Sequence, residues 1–346
     1  MTLWLLLKSS NTIYEQTGEI KMAEQLIREG LNKVEVAGFA QESTLERKEM
    51  KDKTTGTPYV AIQGDVTVKI NEEESHSISY FAKELTKKGE PNKNFKALTT
   101  IMNEMVTIAD VAQGLTEGEP SRIECQGKLA LNEYKGTDGE IKSFPKINGQ
   151  FTPTRFKGEA KDFKPHATFD IEGIVKATVA ETDKDENETG RLKIQLYVPL
   201  YGGKVIPLSF VTSETLPQGG KDYLTDNFVS RASVRVYGDL INREIKIERE
   251  IESGFGENKI EVTYERTREF VATGGTLYEE GVHKEAFDVS LLKEAIANRN
   301  RDLATLKEQV KEDKPKAGFG EGAKKESAHK PQEKKDDGLD DLFGED

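Results

Sequence analysis

The sequence predicts a mainly β protein made of two tandem five-stranded barrels, a C-terminal helix and a disordered acidic tail. Three observations lead to this prediction. Apolar and polar residues alternate over many short runs, which is the period of half-buried strands. Each of two blocks interrupts this alternation once with helical spacing, and the order of elements in the first block recurs in the second.

The first block spans residues 22–141 and opens with strands. Alternating runs predict strands at residues 32–39, 59–70, 77–82 and, after a helix, 122–131. The helix is predicted over residues 95–112, where Phe95, Leu98 and Ile101 begin an apolar series at helical spacing. We expect the order to be three strands, a helix and two closing strands, of which the strand at 122–131 is the first.

The second block, residues 166–284, repeats that order. Strands are predicted at residues 167–173, 191–198, 204–210 and 232–242, with a short helix at 221–228 before the last of them. The closing pieces match in detail, because Ile123-x-Cys125-x-Gly127-x-Leu129 aligns with Val234-x-Val236-x-Gly238-x-Leu240. Two copies of one unit explain both blocks most economically.

Length and composition fit this organisation. A chain of 346 residues accommodates two domains and a tail. A single cysteine and four scattered histidines give no disulfide framework and no zinc spacing, so we expect no cofactor or metal and a cytoplasmic location. Cys125 lies in the middle of an alternating run and is expected in the core. Gly-Gly-Lys at 202–204 and at 219–221 does not fit a phosphate loop, and no enzyme is indicated.

Residues 1–21 are interpreted as a non-native or disordered leader. The run Leu3-Trp4-Leu5-Leu6-Leu7 is far shorter than the ~20 residues of a membrane span. No cation precedes it, as a secretory signal would require. Gly18-Glu19 can be encoded by a purine-rich ribosome-binding sequence shortly before Met22, so we expect translation to start at Met22.

Three strands, a helix and two strands are the order of the OB-fold, a partly open barrel whose second and third strands bind oligonucleotides. Tandem OB units, a basic linker and an acidic tail with apolar residues together resemble single-stranded DNA-binding proteins of the bacterial or phage type. The resemblance covers residues 32–346. It implies a protein of DNA replication or recombination, encoded by a phage or prophage and acting in the bacterial cytoplasm.

Binding single strands without sequence choice requires rings for the bases and cations for the phosphates. The candidate stacking rings on the strands are Tyr59, Tyr80 and Phe81 in the first unit and Tyr197, Tyr201 and Phe210 in the second, with Lys193 and Lys204 as cations. The segment 142–165 is interpreted as a basic and aromatic hairpin or linker. Its candidate residues are Lys142, Phe144, Lys146, Phe151, Arg155, Phe156 and Lys157. Each strand ring has a competing role in packing the core.

Two C-terminal segments complete the prediction. Residues 285–310 are predicted as a helix that Asp288 caps and that packs on the second barrel, with dimerisation or partner binding as the alternative. Residues 311–346 are predicted as a disordered tail in which six of the last eleven residues are acidic. The tail can compete with nucleic acid for the protein's own cations, or bind partner proteins through Asp340, Asp341, Leu342 and Phe343. A purely solubilising role is the third possibility.

The sequence therefore predicts a non-enzymatic single-stranded DNA-binding protein that recruits replication or recombination proteins through its tail. The nucleic acid could be RNA instead, because a stacking platform does not depend on the sugar. The alternative from another class is a tandem β-barrel adaptor between proteins, or a phage assembly factor, that binds no nucleic acid.

Overall fold

The computed structural model describes residues 25–52, 54–251, 255 and 259–309 of the chain. The leader predicted at residues 1–21 and the tail predicted at 311–346 lie outside the described residues. Within them, no helix combines the length and the apolar character that crossing a membrane requires.

The first unit closes into a five-stranded barrel. Its elements are β1 (Asn32–Ser43), β2 (Glu46–Lys51), β3 (Pro58–Lys69), β4 (Ser75–Lys83), α1 (Lys93–Glu104), α2 (Ile108–Ala112), β5 (Arg122–Lys135), β6 (Ile141–Gly149) and β7 (Thr154–Arg155). Strand β1 pairs with β3, β3 with β4, β4 with β6, β6 with β5, and β5 returns to β1. Only the β4–β6 pairing is parallel. This ring is the topology of the OB-fold.

The second unit has the same ring. Its elements are β8 (His166–Thr182), β9 (Glu188–Leu200), β10 (Lys204–Thr212), α3 (Gln218–Asn227), β11 (Ser233–Ile251) and β12 (Lys259–Tyr278), followed by a 3-10 turn (Val289–Leu291) and α4 (Leu292–Gln309). Strand β8 pairs with β9, β9 with β10, β10 in parallel with β12, β12 with β11, and β11 with β8. The predicted fold class of two OB-like barrels and a C-terminal helix is confirmed.

Within the segment 142–165, interpreted as a hairpin or linker, residues 142–149 belong to β6. This strand pairs antiparallel with β5 across a short turn and is the fifth strand of the first barrel, and the remainder of the segment connects the two barrels. The alternation of apolar and polar residues is difficult to recognise in β6, because Pro145 and lysines occupy several of its positions. Pro145 is tolerated because the parallel pairing of β6 with β4 is confined to Ile147 and Asn148, so no neighbour on that side needs its missing N–H.

The helix predicted over residues 95–112 is two helices. Helix α1 ends at Glu104, and α2 starts anew at Thr107, whose hydroxyl oxygen accepts from the Asp110 backbone N–H at 3.0 Å. The Asp110 carboxylate accepts in return from the Thr107 backbone N–H, which completes a capping box. Both helices fill the connection between the third and fourth barrel strands, as predicted.

The two barrels join through their first strands. Residues 32–37 of β1 pair antiparallel with residues 166–171 of β8, and Val34 faces Phe169 across the junction. In each barrel a glycine of the fourth strand is the register partner of one of these two residues: Gly127 lies opposite Val34, and Gly238 lies opposite Phe169. A Cβ at Gly127 would lie 2.7 Å from the Asn148 carbonyl oxygen, so this close approach requires glycine. The matched sequence motif therefore marks equivalent positions.

Helix α4 packs on the outside of the second barrel, which confirms the role favoured from its sequence. Leu292, Ala295 and Ile296 of α4 are buried together with Tyr197 of β9 and Val205 of β10. The Asp288 carboxylate accepts from the Ser290 backbone N–H at 3.0 Å and starts the 3-10 turn that leads into α4, as predicted.

A long hairpin made by β11 and β12 reaches beyond the second barrel and touches the first. The Asn242 side-chain amide donates to the Ser75 carbonyl oxygen at 2.5 Å, and the Glu244 backbone N–H donates to the Glu73 carbonyl oxygen at 2.9 Å. Arg243 forms an ion pair with the buried Glu74 at 3.5 Å. The base of this hairpin therefore lies against the turn between β3 and β4.

Candidate nucleic-acid interface

One side of the first barrel carries exposed rings and cations, and we call it the ring face. It is the outward side of β3, β4, β6 and β5. Side chains alternate in and out along each strand: in β4, Ile78 and Tyr80 point inward and Phe81 outward, and in β6, Ile147 points inward while its neighbours point outward. The outward residues of β6 are Lys142, Phe144, Lys146 and Asn148.

The first ring group lies on β3 and β4. Phe81 is 54% exposed, and Lys83, two residues further along β4, holds its ammonium 4.0 Å from the centre of the Tyr59 ring. The Lys83 ammonium also lies 3.8 Å from a carboxylate oxygen of Asp52. Backbone N–H groups of Thr55 and Thr54 hold the pKa of Asp52 below its usual range. A phosphate would therefore have to compete with Asp52 for Lys83.

The second ring group lies where β5 and β6 meet their connecting turn. The rings of Tyr134 and Phe144 stack with centroids 6.1 Å apart and planes inclined by 21°, and both remain nearly half exposed. Lys142, opposite Tyr134, forms an ion pair with Asp138 of the turn at 3.3 Å. Tyr134 was missed from the sequence, although it continues the outward alternation of β5 through residues 128, 130 and 132.

Lys146 lies between the two ring groups. Ser79 of β4 is level with Asn148 of β6, so Phe144 is level with Ser75, six residues before Phe81. At ~3.3 Å per residue the two exposed phenylalanines are about 20 Å apart along the strands. Lys146 forms no ion pair with any carboxylate of the described residues. The ring face thus places a free cation between two stacking platforms.

Three strand rings predicted to stack on bases are buried, and those predictions were wrong. Tyr80 is 5% exposed and Phe210 is fully buried in the barrel interiors, while Tyr197 is 7% exposed beneath α4. Burial raises the pKa of the Tyr80 hydroxyl. In each case the ring fills space that the small barrel must fill, so no ring face remains for a base.

The remaining candidates of the segment 142–165 do not form one patch. Phe151 is 56% exposed in the turn after β6. Arg155 donates to the Glu104 carbonyl oxygen at the end of α1, which satisfies that helix terminus. Phe156 packs on Phe163 with centroids 5.0 Å apart, and Phe163 in turn contacts Phe39. Lys157 is exposed beside them.

The candidates of the second barrel lie apart from the ring face. Tyr201 is 84% exposed in the turn between β9 and β10, and Lys204 follows it with an ion pair to Asp302 of α4 at 3.4 Å. Lys193 lies on β9 opposite Val211. Because α4 covers the outer side of β9 and β10 at Tyr197 and Val205, this barrel lacks an open counterpart of the ring face there.

The remaining predictions concern the tail, Cys125 and metal binding. The tail residues Asp340, Asp341, Leu342 and Phe343 lie outside the described residues. Cys125 is 2% exposed in the first barrel, and burial raises its pKa to about 11, so it is a core residue as expected. In the described part of the chain no group of three or more His, Cys, Asp or Glu side chains is placed to hold a metal ion.

Comparison with known proteins gives a family and several solved structures. A family model described as YorF matches residues 30–313. No curated protein sequence matches the chain. The wild-type single-stranded DNA-binding protein from Thermus aquaticus is similar at 11% identity over 74% of this chain and 97% of that chain, with a TM-score of 0.39.

Two further structures were found. A deletion mutant of the Thermus aquaticus protein is similar at 12% identity over 74% of this chain and 98% of that chain, with a TM-score of 0.39. A replication protein A heterotrimer bound to single-stranded DNA is similar at 8% identity over 79% of this chain and 53% of that chain, with a TM-score of 0.21. Because these similarities are weak, the functional proposal rests on the geometry of the ring face and not on them.

Proposed function

We propose that this chain, which belongs to the YorF family, binds single-stranded DNA with weak sequence preference. One observation carries the proposal: the outward side of the first OB barrel exposes Phe81 at one end and the stacked pair of Tyr134 and Phe144 at the other, with Lys146 between them. In the OB-fold the second and third strands bind oligonucleotides; Phe81 lies on the third barrel strand, whereas Tyr134 lies on the fourth and Phe144 and Lys146 lie on the fifth.

The chemistry of the ring face suits an unpaired strand. Each base has a π-face that can stack on an exposed ring, and such stacking contributes about 1–3 kcal/mol per base whatever the base. Cations along the path neutralise phosphates and release counterions. The ring groups are about 20 Å apart, measured along the β-strands at ~3.3 Å per amino-acid residue, so several nucleotides can lie between them. Neither stacking on a ring nor contact with a phosphate selects a sequence.

The formal net charge of −12 does not oppose this proposal. Residues 336–346 alone contribute −6, because they contain six acids and no base. Exposed charges separated by more than about 10 Å are largely screened at ordinary salt, so the charges of the ring face itself matter most to a bound strand. Lys146 forms no ion pair with the described residues, whereas Lys83 and Lys142 are paired with Asp52 and Asp138.

For the tail we keep the role predicted from its sequence. Its carboxylates resemble a phosphate backbone in charge density, so the tail can compete with DNA for the cations of the barrel until DNA displaces it. Leu339, Leu342 and Phe343 then become available to an apolar pocket with a basic rim on a replication or recombination protein. This role joins DNA binding to partner recruitment in one chain.

A titration with fluorescently labelled oligo-dT at two salt concentrations tests the proposal. Binding should weaken steeply between 50 and 200 mM salt, as log K falls by about 0.7 log units per phosphate contact for each tenfold rise in salt. Oligo-dA and oligo-U should bind within about tenfold of oligo-dT, since stacking is tolerant of base and sugar. Absence of binding at low salt would refute the proposal.

A second function, protein adaptor, is favoured by one feature of the long hairpin. Residues 243–251 and 259–269 carry six cations and six carboxylates, so this surface has no net attraction for phosphates. It nevertheless exposes Ile260 and Tyr264, which are 66% and 59% exposed. Exposed apolar groups of this kind mark protein-binding surfaces. If the chain were only an adaptor, the oligonucleotide titration would show no binding at either salt concentration.

A further inference from the structure

A cleft of about 200 Å³ lies between the two barrels, beside Lys146 of the ring face. The first barrel contributes Ser77 and Ser79 of β4 and Lys146 of β6, and the second contributes Asn242 of β11 and Arg268 of β12. The volume is several times the ~30 Å³ that a water molecule occupies in the liquid. The cleft therefore has room for a group much larger than water.

The cleft is cationic because no carboxylate lines it. Its lining contains Lys146 and Arg268, and among the described residues neither forms an ion pair. Arg268 donates only to the side-chain oxygen of Asn242 at 3.2 Å. Two carboxylates contact lining residues and are each already paired: Asp65 accepts from the Ser79 hydroxyl at 2.6 Å, and Glu74 contacts His76 at 3.2 Å and forms an ion pair with Arg243.

Apart from His76, the rest of the lining is apolar and includes one phenyl ring. This ring, Phe270, packs on Phe169 and Phe210 of the second barrel but is only partly buried, and it lines the cleft together with Leu240, Leu129 and Ile147. His76 borders them, and burial lowers its pKa, so it adds no charge at neutral pH. A flat apolar surface next to two cations and several hydroxyl and amide groups is the chemistry that a nucleotide requires, with its base on one side and its phosphate on the other.

We infer that this cleft binds one nucleotide of the bound strand, with its phosphate held by Lys146 and Arg268 together and its base against Phe270. The inference rests on the proposed function and adds a consequence to it. Because Lys146 and Arg268 belong to different barrels, the strand would be held by both units at this point. The second barrel then takes part in binding although α4 covers part of its outer face.

The test measures log K for oligo-dT against log salt concentration for the full chain and its variants. We compare Lys146→Gln, Arg268→Gln and the double variant. For single strands each lost phosphate contact reduces the slope by about 0.7. If both cations hold one phosphate, each single variant should lose less than about 0.7, because the other cation still contacts the phosphate, and the double variant should lose about 0.7 in total.

The chain offers matched controls for both substitutions. Arg266 lies two residues before Arg268 on the same side of β12, but it forms an ion pair with Glu244 at 2.6 Å. Lys284 lies in the connection between β12 and α4, outside the ring face, and forms an ion pair with Glu285 at 3.7 Å. Arg266→Gln and Lys284→Gln should leave the slope unchanged. All four positions are on the surface, so thermal unfolding should show that each variant remains folded.

The outcomes separate this inference from the proposed function. A double variant that loses about 1.4 from the slope would mean two separate phosphates and would overturn the shared site. A double variant that behaves like the controls, while the unmodified protein binds oligo-dT normally, would overturn the cleft site and leave the proposed function standing. No binding by the unmodified protein would refute the proposed function itself.

Discussion

Replacing Phe81 by alanine tests the stacking role of the ring face most directly. Phe81 is 54% exposed on β4, opposite Gln63 of β3, and both neighbouring residues of its strand point into the barrel. The substitution removes the ring and leaves the cations and the core in place. It should therefore change DNA binding without changing the fold.

The expected loss follows from the exposure of the ring. Stacking of a base on an aromatic side chain contributes about 1–3 kcal/mol. Since nearly half of Phe81 is already covered by the protein, one face at most is open to a base, and we expect the lower half of that range. A loss of about 1–2 kcal/mol corresponds to a Kd about 5 to 30 times higher.

Fluorescence anisotropy of labelled oligo-dT at several salt concentrations measures both the affinity and its salt slope. Phe81→Ala should raise Kd by the same factor at each concentration, because the ring carries no charge. Lys83→Gln, by contrast, should reduce the slope by about 0.7, the value for one phosphate. The control is Tyr223→Ala on α3, a ring 46% exposed and remote from the ring face.

Two results would contradict the reasoning. Equal affinities of Phe81→Ala and Tyr223→Ala would show that Phe81 does not stack on a base. A change of slope in Phe81→Ala would show that the substitution disturbs the cations, so the loss could not be attributed to stacking. Thermal unfolding should place both variants within about 0.5 kcal/mol of the unmodified protein, as for other surface substitutions.

Three further predictions concern the core, the barrel junction and the tail. Burial raises the pKa of Cys125 from 9.0 to about 11, so on raising the pH the thiol of the unfolded chain loses its proton before that of the folded chain. The free energy of unfolding should therefore fall by on the order of 2–3 kcal/mol between pH 9 and 11. Urea unfolding measures this fall, which should be smaller in Cys125→Ala. Gly127→Ala would place a Cβ 2.7 Å from a carbonyl oxygen and should destabilise by about 1–3 kcal/mol in thermal unfolding, whereas Gly219→Ala, with open space around it, should not. Deleting residues 336–346 should tighten oligo-dT binding at low salt and abolish co-purification of partner proteins; no change in either would contradict the tail proposal.

The sequence predicted the fold well because the barrels are built from a regular period. Alternation located strands in both blocks, and the shared motif around Gly127 and Gly238 showed that the blocks are copies. The first part of β12 was nevertheless missed. Ile260, Val262 and Tyr264 do alternate with polar residues, but they are exposed where the strand leaves the barrel, and residues 265–269 are all polar.

The site was predicted less well, because sequence does not tell which side of a strand a ring occupies. Tyr80 and Phe81 are adjacent, and alternation requires one to point inward and the other outward. Which of them does so depends on the register with β3, where Gly64 faces Tyr80 and Gln63 faces Phe81. Tyr134 could have been found by extending the alternation of β5 past Leu131, where the apolar residues of the strand give way to polar ones.

Predicting stacking rings on both copies also overlooked the elements attached to each copy. The copies share a topology, but the elements attached to them differ, since α4 covers Tyr197 and Val205 in the second barrel and nothing among the described residues covers Phe81 in the first. The second barrel instead extends its last two strands, and their base supplies Arg268 to the cleft beside Lys146. The first barrel thus keeps its own outer surface open, whereas the second barrel contributes to the cleft through an extension that reaches the first barrel. Ring positions transferred from one copy to the other are therefore unreliable, whereas the glycines and core residues, which the shared topology requires, do transfer.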